Sequence, residues 1–522
     1  MRSFPIGIIL SFVILSATLF GEMRHERFIP IDAPLVAMFS PSRCAEKAGE
    51  SALTNNFIRK AFEEIEKLRI ISIVTNPAAY GIDAHANAYI FITVATNAAK
   101  VAEVGLVLRL ADSARAKMAF ASFAGQNGMR ILPRRGYSLI AGTGKGIAAG
   151  FTDDAFILLY SDRALEVELA FTLDAHIAAA SEKNSLLADQ RFRTAADRRT
   201  DIAIYSHLAF VTQLLFSPGK AMPNIRPESK RFVSAGFEFF PGRVECSIDI
   251  YRIKADEELR KLPRKLDARI ARYAGEKPLA LVTAAFDSTA ASQMVRKISN
   301  NTLNGIAERF DHDLNYPFTD AVKLLKGDCL ASITKLDLDR KHYEFFAAFT
   351  CDAPGMTKLL NLIADKGVLE HMTTNNTGYY MLVSEEPGFE LVYFIVRGDI
   401  LFISTPGRKD VLFGAEPKDL PSPGSMHAMT ENSVHIALNI DALLDAFISG
   451  GTVDAALGAQ AARGKLMTLA ISAAMTQDRT VASTVRAGLA DPSINALTQV
   501  LSWIDAVFTD LSPSQSKRRR NE

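Results

Sequence analysis

Two β-favouring apolar runs, Phe389 to Val396 and Ile400 to Ile403, meet at Gly398-Asp399 within the tripeptide Arg397-Gly398-Asp399. This spacing predicts a hairpin buried on at least one face. What constrains the fold most is that the pattern occurs twice. The shift that lays Ile147 to Phe151 under Val392 to Val396 also lays Thr152-Asp153-Asp154 under the turn and Phe156-Ile157-Leu158 under Leu401-Phe402-Ile403. It matches Asp154 with Asp399 and Arg163 with Arg408. The chain therefore reads as one α+β unit written twice.

The segments around each hairpin follow the same succession. A short strand, Leu35 to Phe39, precedes helical spacing over Ala52 to Ile71; in the second half Leu279 to Phe286 precedes a helix opening at Asp287 and running through Met294, Val295 and Ile298. Strands Tyr89 to Val94 and Val104 to Leu110 then lead into a helix from Asp112 to Gly125. Their counterparts are Cys329 to Lys335, Tyr343 to Thr350 and a helix from Asp352, with Pro354 in its first turn and Gly367 at its end. Gly136-Tyr137 and Gly378-Tyr379 enter the central hairpins. Afterwards Asp201 to Tyr205 leads into an apolar helix ending near Phe216, and Val434 to Leu438 leads into Asp441 to Phe447. Each half closes with a hairpin, turning at Pro241-Gly242 or at Gln477-Asp478, and a final helix, Leu266 to Tyr273 or Asn495 to Phe508. Segments 164–200 and 409–430 read as loops or helical connections. The expected fold is a tandem duplication of an antiparallel-sheet unit with helices packed on one face. Its parts are residues 28–274 and 278–510, framed by a leader at 1–27 and a disordered basic tail at 511–522.

Residues Ile6 to Phe20 form an unbroken apolar stretch after Arg2 and before the charged cluster Glu22, Arg24, His25, Glu26, Arg27. Fifteen helical residues cover only about 22 Å, short of the roughly 30 Å hydrocarbon core. A secretory signal fits, although no Ala-x-Ala pair marks a cleavage site near Gly21, so an uncleaved short anchor through Ile6 to Phe20 stays open. Either way the remainder is expected outside the cytoplasm, in the periplasm or at the cell surface. Lys plus Arg (59) nearly cancel Asp plus Glu (58), which gives no electrostatic reason to expect nucleic acid. The one basic run, Lys517 to Arg520, sits in a polar tail after Ser512-Pro513-Ser514 and reads as a solvated terminus.

No motif assigns chemistry. Gly142-Thr143-Gly144-Lys145-Gly146 suggests a phosphate loop, but a strand follows it rather than a helix, and Gly replaces the Ser or Thr after the Lys. A hairpin turn is the expected role. Asp311-His312-Asp313 points its side chains apart and reads as a solvated loop; Asp337, Asp339 and Glu344 stand beside Arg340, Lys341 and His342 as a charged hairpin tip rather than a Ca²⁺ site. Neither Gly-x-Ser-x-Gly nor His-Glu-x-x-His occurs. His207 and His435 fall at the opening strands of β-α units, where core or edge histidines are common. The sequence thus names no catalytic, cofactor-binding or metal residues. Of four scattered cysteines, Cys329 and Cys351 are equally far from Arg340, and a hairpin folded about that residue sets them opposite each other. Opposed Cα atoms lie about 4.5 to 5.5 Å apart, within reach of a disulfide; two buried free thiols are the alternative.

Phe28-Ile29-Pro30-Ile31-Asp32-Ala33, Glu46-Lys47-Ala48-Gly49 and Tyr80-Gly81-Ile82-Asp83 resemble a family of uncharacterised bacterial envelope proteins. Many of its members are predicted lipoproteins, opening with an Ile-Pro-x-Asp-Ala strand and a Glu-Lys-x-Gly helix entry. The resemblance implies an extracytoplasmic β-α protein of unknown function and carries over no catalytic residue. No cysteine directly follows the apolar leader, a departure from the lipoprotein pattern. The function expected is that of an exported cell-envelope protein acting by binding or assembly, its partner an envelope protein or an extended ligand. The alternative is an exported hydrolase with a dispersed active site.

Overall fold

The computed structural model describes residues 24–49, 76–94, 102–143, 146–161, 164–211, 232–251, 265–275, 277–289, 301–340, 342–374, 377–384, 391–413, 420–450, 463–475 and 480–510. The chain divides into two compact units, residues 1–229 with 497–522, and residues 230–496. Several expected elements lie outside the described residues: the leader to Met23, the Ala52 to Ile71 helix, most of the helix from Asp287, the approach to Phe216, Arg163, the Gln477-Asp478 turn and the tail from residue 511.

In the first unit, the elements in chain order are β1 (Leu35–Phe39), α1 (Pro41–Ala48), β2 (Ala88–Val94), β3 (Ala102–Arg109), α2 (Ser113–Gln126), β4 (Arg130–Arg134), β5 (Tyr137–Ala141), β6 (Ile147–Phe151), β7 (Ala155–Tyr160), α3 (Glu166–Ala179), α4 (Gln190–Ala196) and β8 (Ile202–His207). The strands pair antiparallel in the order β8-β1-β2-β3-β7-β6-β5-β4. The second unit holds β9 (Phe232–Phe240), β10 (Arg243–Tyr251), α5 (Ala268–Ala271), β11 (Ala280–Ala285), α6 (Asn301–Leu314), α7 (Phe318–Lys323), β12 (Leu325–Asp337), β13 (His342–Cys351) and α8 (Ala353–Asp365). It continues with β14 (Glu370–Thr374), β15 (Thr377–Val383), β16 (Leu391–Arg397), β17 (Ile400–Ser404), α9 (Lys409–Leu412), α10 (Pro423–Glu431), β18 (Val434–Asn439), α11 (Ile440–Gly450), β19 (Leu466–Met475) and β20 (Thr480–Leu489). Its strands run β18-β11-β12-β13-β17-β16-β15-β14, the same order of pairings as in the first unit. The sheet then extends from β18 through β19, β20 and β10 to β9. The helix Ala496–Asp510, α12, belongs to the first unit from Leu497 onward.

The two central hairpins agree in detail. Thr152 N donates to Ala155 O across Asp153-Asp154, and Arg397 pairs with Ile400 across Gly398-Asp399, where Gly398 adopts φ 62°. The carbonyl of Asp154 accepts from Leu110 N at 2.8 Å; that of Asp399 accepts from Cys351 N at 2.8 Å. Each carboxylate is gripped by both arms of an arginine, one upstream of β1 and the other upstream of β11. Arg27 holds Asp154 at 2.9 Å, and Arg269 holds Asp399 at 3.0 Å. Asp112 and Asp352 cap the helices that follow β3 and β13, accepting from Arg115 N at 2.9 Å and Gly355 N at 3.1 Å.

Three expectations change. Helices cover both faces of each sheet, not one. In β5, Ile140 packs with Phe120 and Phe123 of α2, while Tyr137 on the other face donates to Asp174 of α3 at 2.8 Å. In β17, Phe402 faces Ile270, Leu412 and Met429, whereas its neighbour Leu401 faces Met356, Leu359 and Leu360 of α8. The physical reason lies in the strands: β6 and most of β7 are buried at successive residues, and an unbroken apolar run needs cover on both sides. The boundary also moves. Because β10 pairs with β20 over nine residues, the β9-β10 hairpin joins the second unit, and the division falls at Ser229 rather than near Gly275. Finally, Asp311-His312-Asp313 lies in the last turns of α6, not in a loop; Leu303, Ile306, Phe310 and Leu314 carry the helical spacing through it.

Candidate functional site

The sequence-derived candidates do not assemble into a site. Gly142 and Gly146 take φ 89° and 86° in the turn between β5 and β6, and the Gly142 N–H donates to the Glu166 carboxylate at 2.6 Å. A protein carboxylate therefore occupies the backbone donor that a phosphate would need. The β12-β13 register sets Cys329 opposite Phe349 and Cys351 opposite Leu325, with an irregularity between those pairs, so the cysteines are not directly opposed as expected. All four cysteines are free thiols. Among the described residues no group of three or more His, Cys, Asp or Glu is placed to hold a metal ion. His435 is buried and its Nδ1 lies 2.8 Å from Ser472 Oγ, a satisfied core histidine; His207 is buried at the end of β8.

The site the structure does build lies in the first unit, around residues that the sequence reading assigned to the leader. Phe28 and Ile29 are buried apolar anchors, and Ile29 O accepts from Leu186 N at 3.1 Å. They pin a 3₁₀ turn, His25–Phe28, against the sheet. The turn carries His25 (5% exposed) and Glu26 (6%) into contact with Tyr89 (1%) of β2. Tyr89 Oη donates to Glu26 Oε1 at 2.9 Å, and Arg24 Nη2 donates to the same oxygen at 3.3 Å and to Asp197 Oδ1 at 2.7 Å. His25 Nε2 lies 2.8 Å from the Asn87 carbonyl, so that nitrogen carries the proton of the neutral ring. Its Nδ1 faces Glu26 Oε2 at 3.5 Å.

An aromatic row supports this cluster from behind. The rings of His25 and Tyr89 lie 5.2 Å apart, those of Tyr89 and Phe192 6.3 Å, and those of Phe192 and Tyr205 5.5 Å. Asp189, which caps α4, accepts from Tyr205 Oη at 2.9 Å and holds Arg191 through two hydrogen bonds. Asn87 Nδ2 donates to Ala196 O at the end of α4. Both the edge of β2 and the α4 terminus are thereby fixed.

Burial raises the Glu26 carboxyl, but His25, backbone donors, Arg24 and the Tyr89 hydroxyl outweigh it and hold it below the ordinary glutamate value. Burial depresses His25 and keeps it neutral. Burial, then the Glu26 charge, raise Tyr89 well above the ordinary phenol value. The carboxylate is held ionised by the Arg24 and Tyr89 hydrogen bonds to Oε1, beside an imidazole whose Nδ1 lone pair faces Oε2. The cluster floors a cleft of about 1340 Å³, whose walls include Ser42, Arg43, His85, Arg109, Glu182 and Arg199. In sequence, His25-Glu26 sits between two arginines directly after an apolar leader, a pattern shared with any solvated leader flank. Only the buried Phe28 and Ile29 beside it distinguish the two, and burial is not written in a single strand.

No curated protein matches the chain. Three crystal forms of TP0453 match weakly in structure. Form I shares 11% identity, with 45% of this chain and 80% of that one covered at a TM-score of 0.28. Form III gives 11%, 47%, 90% and 0.29, and form IV 12%, 45%, 83% and 0.30. Likenesses at this level carry no inference. The family model described as Domain of unknown function (DUF4836) matches residues 25–409, well over half of the chain and beginning at the buried His25, and the chain belongs to that family.

Proposed function

We propose that the chain is an exported cell-envelope protein that works by binding, with the cleft of the first unit as its ligand site. The observation that carries this reading is a cleft of about 1340 Å³ whose buried floor groups are tied into the fold, Tyr89 and Arg24 to Glu26 and His25 to the Asn87 carbonyl. A hydrolase would draw instead on Ser42 and His85 of the same lining. Export rests on the apolar run Ile6 to Phe20. The burial of His25 and Glu26 supports a processing point, if the leader is removed, upstream of Arg24. A tandem copy of one ancestral unit accounts for the shared order of strand pairings and for the two arginine-gripped aspartates, Asp154 and Asp399.

Fractionation with N-terminal sequencing tests the compartment; a mature start at Glu26 or later contradicts the reading. For binding, envelope extract should raise the unfolding temperature of the intact chain. Ala86→Trp, which fills the cleft from its wall, should abolish the rise while leaving the circular dichroism spectrum unchanged. A rise that survives Ala86→Trp removes the cleft from consideration.

A further inference from the structure

Taking the cleft as the binding site, we propose that its ligand is an extended, multiply charged oxyanion. The cleft is lined by six arginines, Arg24, Arg27, Arg43, Arg109, Arg198 and Arg199, against three carboxylates, Glu26, Glu182 and Asp197. The chain as a whole is almost neutral, with 59 basic and 58 acidic residues. Arg27 and Arg109 pair with Asp154 and Asp83 outside the lining, and the excess that remains is gathered in this concavity and not inherited from a basic protein.

Two of the three carboxylates are already spent, since Glu26 and Asp197 both accept from Arg24. Arg27 is likewise committed, to Asp154 just beyond the lining. Arg43, half-buried on α1, and Arg199, exposed after α4, form no ion pair among the described residues. Like charges gathered in a recess repel one another and raise the local potential, and an anion entering relieves both effects. Guanidinium forks donate to phosphate or carboxylate oxygens in pairs, which suits oxyanions above spherical anions such as chloride. Size adds the second specification. At about 1340 Å³, the cleft exceeds the roughly 300–1,000 Å³ of small-molecule pockets. It has room for several charged groups along one chain. Polyphosphates and acidic glycans both present that chemistry.

Isothermal titration of the full chain distinguishes the sources, with tripolyphosphate and trigalacturonate as anionic probes and maltotriose as the neutral control. The expected result is binding of at least one anion, no binding of maltotriose, and at least a tenfold loss in the Arg43→Ala/Arg199→Ala variant. Binding of tripolyphosphate alone assigns a phosphoryl ligand, of trigalacturonate alone a uronic acid ligand, and of both a general oxyanion site. Because Arg43 and Arg199 form no ion pair among the described residues, the double variant should keep the parent unfolding midpoint, and a matching midpoint certifies its fold. The inference is overturned if neither anion binds, if maltotriose binds equally, or if the double variant binds undiminished. Should envelope extract still give a rise that Ala86→Trp abolishes while both anions fail, the cleft stands and only its charge preference falls. Should no Ala86→Trp-sensitive rise exist either, both readings fall.

Discussion

Glu26 gives the most direct measurement of whether residues 24–28 belong to the folded body. In Glu26→Ala the Tyr89 hydroxyl, on a residue 1% exposed, loses the acceptor it holds at 2.9 Å, and Arg24 loses one of its two carboxylate partners. A buried hydroxyl left without an acceptor costs about 1–3 kcal/mol, and breaking a buried ionic cluster by removing one member costs about 3–5 kcal/mol in all. Tyr89→Phe removes only one hydrogen bond to a charged acceptor, about 1.5–3 kcal/mol. In the double variant no orphaned hydroxyl remains, so the two losses should fall short of additivity by about 1–3 kcal/mol. The assay is available in the native sequence. The chain's single tryptophan, Trp503, lies in α12 and so in the first unit, and its fluorescence in a urea titration reports that unit's unfolding. A Glu26→Ala loss below about 0.5 kcal/mol, typical of a surface site, would refute the burial of the turn. So would additivity of the two substitutions.

Three further outcomes are expected. Gly105→Ala should destabilise the first unit by about 1–3 kcal/mol, because a Cβ there would sit 2.0 Å from the ring of the fully buried Phe91 on the neighbouring strand; Phe91→Leu should recover part of the loss, read by the same titration. Acid should destabilise the first unit. Burial depresses His25 and His176, so the unfolded chain takes up protons the native state refuses, and stability falls as the pH drops below about 6.5 by up to about 3 kcal/mol per pH unit for the pair. Glu26, held low, adds a contribution that is present above its ordinary value of 4.5 and lost as the pH falls through its depressed native value; urea midpoints that stay level from pH 8 down to about 5 would contradict the histidine contribution. Finally, thiol titration of the unreduced, denatured chain should count four free cysteines. A count of two, with Cys329 and Cys351 the pair protected from alkylation, would restore their bridge and with it a different β12-β13 register.

Much of the build was legible because it depends on short-range chemistry. The turn residues Gly398-Asp399 and Pro241-Gly242, the capping Asp112 and Asp352, and the apolar runs between them set strands, helices and hairpins where local backbone preference decides. The repeated hairpin pattern marked both central hairpins, which form at Asp153-Asp154 and at Gly398-Asp399. What stayed hidden were questions of neighbours. Nothing along the segment from residue 232 to 251 tells β10 to pair with β20, more than two hundred residues away, and that pairing moved the boundary between the units. An unbroken apolar strand such as β6 says that both faces are covered but not by which helices. The cleft is the extreme case: Arg24, Arg43, Asn87 and Arg199 come from four separate segments, and charges look solvated in sequence until folding removes the water around them. Local propensities act over a few residues and can be read singly; burial and ion pairing are properties of residues brought together, and only the tertiary structure decides them.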